Sequence, residues 1–164
     1  MTMVCFDVEG TRFNYRVAGI ALHDQQVLLN CIEGQDHWFL PGGRVEMGET
    51  SREGLRREMQ EELQEDVHVG RLLWIAESFF GEMEGKNYHE LGLYYVMDFA
   101  PESPLYQAKE PFFRLEGQMR MTFQWFSLTE LEQITFYPSF LVQGLQNMPE
   151  QTVHVLDTRQ QLIV

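Results

Sequence analysis

Apolar and polar residues change places along this chain in a way that predicts strands for most of its length. Phe13, Tyr15 and Val17 alternate with Asn14, Arg16 and Ala18, the period of a strand with one buried face. The run then becomes continuously apolar from Ala18 to Leu22, as in a strand covered on both faces. Val4–Val8, joined by a Glu9-Gly10 turn to Arg12–His23, reads as a strand pair, and Asp24-Gln25-Gln26 turns the chain into a further strand at Val27–Ile32. Val67–Phe80 and Tyr88–Phe99, separated by a turn over Gly81–Asn87, read as two more. Pro101–Pro111 reads as a loop, Met119–Phe126 as the last long strand and Leu128–Gln133 as a short helix. A helix over Ser139–Asn147 and a terminal strand over Val153–Leu156 complete the pattern.

One segment stands apart. Trp38–Leu40 stops at Pro41-Gly42-Gly43, a breaker where backbone can approach a ligand closely. A helix follows: Thr50 with Glu53 three residues on is a capping box, and Leu55, Met59 and Leu63 form one apolar stripe. Strands and helices interleave without a strict βαβ rhythm, which predicts an α/β (α+β) fold with a mixed, partly antiparallel sheet and helices packed on it. With no linker, repeat or low-complexity tract in 164 residues, a single domain over 1–164 is expected.

Charge sharpens the picture. The chain carries 12 Lys+Arg against 25 Asp+Glu, a formal net charge of −13. That balance argues against long nucleic acids and anionic membrane surfaces as partners. No apolar run approaches the roughly 18 residues of a spanning helix, and the first residues lack a basic stretch followed by an apolar one, so no leader is expected. Cys5 and Cys31 form no CxxC pair; they read as buried small hydrophobes in a reducing, cytoplasmic compartment. The five histidines show no zinc spacing and read as structural or surface residues.

The acids are concentrated. Eight of them lie between Glu46 and Asp66. On a wheel of about 100° per residue, Glu58, Glu61, Glu62 and Glu65 share a sector of about 100° that adjoins the apolar stripe, and Glu62 enters it. Like charges at these spacings repel, and acids near a helix C-terminus oppose its dipole. A bound cation answers both objections. Oxygen-only ligands call for a hard ion, magnesium first and manganese second. Arg57 projects away from this sector and is available to pair with Glu49, while Arg44 in the preceding loop is positioned to meet phosphate. Arg16, opposite the aromatic stripe of its strand, is a second candidate for substrate contact.

Gly43-x5-Glu49-x7-Arg57-Glu58-Met59-x-Glu61-Glu62 resembles the signature box of the Nudix hydrolases, which cleave nucleoside diphosphates linked to another group. Phe39–Gly42 before it, and Trp125-Phe126-x-Leu128-x-Glu130-Leu131 far beyond it, resemble the family's flanks. The resemblance implies an α/β/α sandwich and a pyrophosphohydrolase working with two or three magnesium or manganese ions. It implies that Glu58, Glu61 and Glu62 bind the metal with the carbonyl of Gly42, that Glu49 and Arg57 form a supporting salt bridge, and that Glu58 or Glu61 takes a proton from water. A further glutamate beyond the box is expected, Glu116 first and Glu90 second. The chain departs from the family at Gln64 and Glu65, where a Gly and an aliphatic residue are usual. The helix is therefore expected to run on or to end with Gln64 strained.

Markers that the family uses for ADP-ribose, diadenosine polyphosphates and coenzyme A are missing: the relevant stretches read Phe79-Phe80-Gly81 and Gly81-Glu82-Met83, and Tyr88 comes too late. The resemblance thus points to a small nucleotide, such as a nucleoside triphosphate or nucleotide sugar, with homodimerisation open. A Nudix-fold binding module without turnover, and a hydrolase of a non-nucleotide pyrophosphate, are the alternatives.

Overall fold

The structure, a computed structural model, describes residues 2–83 and 85–158. The expected domain span of 1–164 and turn over Gly81–Asn87 include residues 1, 84 and 159–164, which lie outside the described residues. In chain order the elements are β1 (Cys5–Val8), β2 (Thr11–His23), β3 (Gln26–Ile32), β4 (Gly42–Arg44), α1 (Ser51–Leu63), β5 (Val67–Met83), β6 (Lys86–Phe99), β7 (Phe112–Glu116), β8 (Met119–Ser127), α2 (Phe140–Gln146) and β9 (Val153–Thr158). The sheet runs β7-β8-β3-β2-β6-β5-β9, with β1 and β4 also on β2. Its β2–β6 and β5–β9 pairs are parallel and the remainder antiparallel, so the mixed sheet of the sequence reading is present.

β2 is the spine. One edge pairs with β6 along Thr11–Ala21, while the other serves β1, β4 and β3 in turn. Its alternation divides the core. Val17 and Ala21 face the layer that holds Leu55, Met59 and Leu63 of α1; Ala18 and Ile20 face the layer that holds Leu141 and Leu145 of α2. Burying each of these large side chains stabilises the fold by roughly 1.5–3 kcal/mol. The result is a helix on each side of one sheet. Among the described residues no helix is long and apolar enough to cross a membrane.

Several boundaries differ from the sequence reading. β5 and β6 continue their pairing to Met83 and Lys86, so the turn between them is much shorter than expected. β7 was not foreseen; as an edge strand it has residues that alternate only between half-buried and exposed, and its composition carries no clear period. The expected loop before it contains a 3₁₀ turn at Pro104–Gln107. The short helix after β8 contracts to a 3₁₀ turn at Leu131–Gln133, where the Gln133 N–H donates to the Glu130 carbonyl three residues back at 2.9 Å. Cys5 and Cys31 are half-buried rather than core residues: Cys5 lies on the short strand β1, and the Cys31 thiol reaches the Gln35 carbonyl at 3.3 Å.

α1 begins where the capping box puts it. The Glu53 N–H donates to Thr50 Oγ1 at 3.3 Å, and the Thr50 N–H donates to Glu53 Oε2 at 2.8 Å. It ends on Gln64 in the left-handed conformation, φ 59°, without the glycine that favours such a cap. Replacing Thr50 by Ala removes a partner of an N-terminal N–H; urea denaturation is expected to show a loss of about 1 kcal/mol, and an unchanged midpoint would contradict this role for the cap.

Candidate functional site

Packing Leu55, Met59 and Leu63 into the core decides where the acids of α1 go. Glu58 and Glu62, one turn apart, are carried into the protein and are each only 4% exposed, whereas Glu61 remains half exposed. Both buried carboxylates meet β4. A Cβ at Gly43 would overlap the Glu58 carboxylate, and a Cβ at Gly42, whose φ is 143°, would overlap the Val17 carbonyl. Only glycine fits at both positions, and the sequence Pro41-Gly42-Gly43 has a packing reason there.

Arg57 organises the approach to the helix. Its Nε and Nη2 donate to the two oxygens of Glu49 at 3.2 and 2.8 Å, and Nη2 also donates to the Arg44 carbonyl at 2.8 Å. Its Nη1 donates to Glu58 Oε1 at 2.9 Å and to Glu61 Oε2 at 3.1 Å. This corrects the wheel reading, which pointed Arg57 away from the carboxylates. The i, i+4 step to Glu61 is within easy reach of a long side chain. Glu46, 4.0 Å from Arg57 Nε, is a further acid drawn to the same guanidinium.

The other candidates fall into two groups. Glu116, at the end of β7, is close enough to Glu62 for its charge to act there, and Arg16 acts on both Glu58 and Glu62 while donating to the Leu40 carbonyl at 3.3 Å. Glu90 and Arg44 belong instead to a separate relay. The buried Glu90 accepts from Asn14 Nδ2 at 2.7 Å, and Asn14 Oδ1 accepts from Arg44 Nε at 2.6 Å. His89 lies beyond this, stacked on Phe79 with ring centroids 4.4 Å apart.

Electrostatics sets these acids apart. Burial pushes the Glu62 carboxyl up to about 8; Arg16 opposes this, Glu58 and Glu116 add to it, and the Gly42 peptide draws it down. Burial also raises Glu58, against the pull of Arg57. Glu49 is lowered, chiefly by its bonds to Arg57. Among the described residues, Glu62 Oε2 is buried with no hydrogen-bond partner. Among the described residues no three His, Cys, Asp or Glu side chains already enclose an ion-sized site. The donors around Glu62 are nonetheless all oxygens, one of them unsatisfied, which is the chemistry a hard divalent cation requires.

A cleft of about 570 Å³ opens beside this cluster, lined by Glu61 and Glu62 of α1, by its C-cap Gln64, and by Phe113, Arg114, Leu115 and Arg120 of the β7–β8 hairpin. The sequence alone assigned none of the four hairpin residues to a site. The available signal was an arginine on each side of the Glu116–Met119 turn. A smaller hollow of about 300 Å³, between the β2–β3 turn and the end of α2, contains none of the candidate residues.

The comparisons with known proteins agree with this geometry. The family model of the NUDIX domain matches residues 13–143. No curated protein matches the chain. Among solved structures, a MutT Nudix hydrolase from Burkholderia pseudomallei superposes with a TM-score of 0.60 at 21% identity, covering 79% of this chain and 95% of its own. A UDP-X diphosphatase superposes with a TM-score of 0.59 at 18% identity, covering 87% of this chain and 66% of its own. An ADP-ribose pyrophosphatase from Streptococcus suis gives 0.53 at 15% identity, covering 88% and 98%. At these identities the likeness is one of fold.

The elevated Glu62 pKa makes a signed prediction for the metal-free protein. A carboxyl with a folded pKa of about 8, against an unfolded value of 4.5, contributes stability that is complete below pH 4.5 and lost as pH rises through 8. Glu62→Gln stays neutral throughout. In EDTA at pH 9 the variant is expected to be more stable than the wild type by a few kcal/mol, with a ceiling of about 5, and the difference should vanish towards pH 4.5. Equal melting temperatures at pH 9 would contradict the burial of an unsatisfied carboxylate.

Proposed function

The chain belongs to the Nudix hydrolase family, enzymes acting on phosphoric anhydride bonds, and from that premise we propose that it is a divalent-metal-dependent pyrophosphohydrolase of small nucleotides. The observation that carries this reading is Glu62, buried beside Glu58, Glu61 and Glu116 with one oxygen unpartnered. Burying an isolated carboxylate in this way is unfavourable without a cation to meet it.

Glu58, Glu61, Glu62, Glu116 and the carbonyl of Gly42 would hold magnesium or manganese, as two or three ions. When bound, such ions neutralise a pyrophosphate and lower the pKa of a water. The protein's own groups do the rest. Arg57 would keep its two-oxygen hold on Glu49, leaving the carboxylates of Glu58 and Glu61 as the groups available to the ions. Glu58 or Glu61 takes the proton of the attacking water on a carboxylate oxygen. The water oxygen bonds to phosphorus while the bridging oxygen leaves with the second product. Arg16, already beside Glu58 and Glu62, meets a phosphate oxygen; Arg44, held by Asn14, is the second cation for the same chain of phosphates. The substrate class draws support from the names of two structural neighbours, a UDP-X diphosphatase and an ADP-ribose pyrophosphatase.

The test is hydrolysis of a panel of nucleoside triphosphates and nucleotide sugars with Mg²⁺ or Mn²⁺. EDTA is expected to abolish turnover, Glu61→Gln to lower kcat/KM by about 10²–10⁴-fold, the range for loss of a positioned acid–base group, and Glu62→Gln to lower it through loss of a metal ligand. Retained turnover in both variants would overturn the metal assignment. Tight nucleotide binding with no metal-dependent turnover anywhere in the panel would identify a binding module instead.

A further inference from the structure

β2 and β4 set two arginines directly opposite each other. Arg16 pairs in register with Arg44, so both side chains leave the sheet on one face. Like charges in such a pair repel. Among the described residues, the hydrogen bonds that hold the two guanidinium groups go to neutral acceptors, although the chain has 25 acids. Arg16 Nη2 donates to the Leu40 carbonyl at 3.3 Å; Arg44 Nε donates to Asn14 Oδ1 at 2.6 Å, and Arg44 Nη1 meets only the Met3 sulfur, at 3.9 Å. Most of the terminal N–H groups are left for an anion.

Behind Arg44 stands a carboxylate. Asn14 and Glu90 are register partners in the parallel β2–β6 pair, only 5% and 8% exposed, and Asn14 Nδ2 donates to Glu90 Oε2 at 2.7 Å. These two neighbours leave the Asn14 amide one orientation. A carboxylate accepts and a guanidinium donates, so the NH₂ must face Glu90 and the carbonyl oxygen must face Arg44. The amide turned the other way would set donor against donor at Arg44 and acceptor against acceptor at Glu90. A sheet position needs no carboxylate for its packing, and burying one is unfavourable. Among the described residues, the one hydrogen bond that the Glu90 side chain makes is to the amide that holds Arg44.

We propose that Glu90 and Asn14 are positioning residues for Arg44. Glu90 locks the Asn14 amide, the Asn14 carbonyl oxygen holds Arg44 by Nε, and the terminal nitrogens of Arg44 are preset beside Arg16 as a two-arginine seat for a phosphate of the substrate. This rests on the pyrophosphohydrolase reading, which gives both arginines a phosphate contact and leaves Glu90 without a role. A long side chain free in solvent samples many rotamers; a guanidinium fixed by one nitrogen before the substrate arrives loses less freedom on binding. Glu90 touches no substrate. It stands two hydrogen bonds from the guanidinium and acts on affinity through Arg44 alone.

Calorimetric titration with a non-hydrolysable imido analogue of UTP in Mg²⁺ tests this. Arg44→Gln, Asn14→Leu and Glu90→Met should each weaken the analogue about tenfold, the worth of one charge-assisted contact. Each should raise KM for UTP by a similar factor and leave kcat within about threefold. Glu90→Gln keeps an acceptor for Asn14 Nδ2 and should stay within about threefold of the wild-type affinity. The decisive measurement is a double-mutant cycle: in the Arg44→Gln background, Glu90→Met should add less than about twofold, because the group it acts through is already gone. The same cycle with Asn14→Leu gives the reading where Glu90→Met fails to fold. Equal losses with Arg44 present and replaced, a Glu90→Gln loss as large as that of Glu90→Met, or an affinity indifferent to both Asn14→Leu and Glu90→Met overturns the relay and leaves the hydrolase reading standing. Absence of metal-dependent turnover on every nucleotide, with the cycle on analogue binding still non-additive, overturns the hydrolase reading and leaves the relay.

Discussion

Carboxylates resist burial unless a cation or a full set of donors meets them, and α1 buries two of them one turn apart. The apolar stripe leaves no choice: a helix that docks Leu55, Met59 and Leu63 must carry Glu58 and Glu62 in with it. Arg57 manages part of the resulting charge. One guanidinium holds both oxygens of Glu49, single oxygens of Glu58 and Glu61, and the carbonyl of Arg44. The loop that leads from β4 to α1 is therefore folded around one cation. Such a buried network is worth little as net stability, because desolvation offsets most of the attraction, but breaking it exposes uncompensated charge. Arg57 gives no hydrogen bond to Glu62, whose Oε2 is buried without a partner among the described residues.

The sheet is arranged to bring a glycine pair to those acids. β2 gives its edge first to β1, then to β4 and only at its end to β3. This places Gly42 and Gly43 between the long central strand and the α1 carboxylates. A side chain at either position would take the space of the Val17 backbone or of the Glu58 carboxylate. The hairpin β7–β8 then closes the far side, bringing Glu116 into electrostatic range of Glu62. The candidate acids thus come from a helix and from the end of a strand, anchored on the same layer of core.

What could be read from the sequence was local. Thr50 and Glu53 form both bonds of their capping box because such a motif needs only four consecutive residues. The positions of Glu58, Glu61 and Glu62 follow from helical period, as does the burial of Glu62. Gln64 takes the strained left-handed cap, one of the two outcomes that the missing glycine allowed. What could not be read depended on distant partners or on side-chain length. The wheel gives the direction of the Arg57 Cβ, not the course of a side chain that folds back to meet Glu61. β7 shows no clear alternation because an edge strand has half-buried residues and no fully buried face. The hairpin residues that line the cleft come beside α1 only through tertiary folding, and the bond between Asn14 and the buried Glu90 joins residues 76 positions apart.

The central claim is that Glu62 waits for a cation, and thermal melting of the protein with and without Mg²⁺ at pH 7.5 tests it most directly. Binding to the folded state alone raises stability by RT ln(1 + [L]/Kd), so a hundredfold excess over Kd should raise the wild-type Tm by roughly 5–10 °C. Glu62→Gln, lacking the unsatisfied carboxylate, should lose most of that increment. An equal rise in wild type and variant, or no rise in the wild type at millimolar Mg²⁺, would contradict the account.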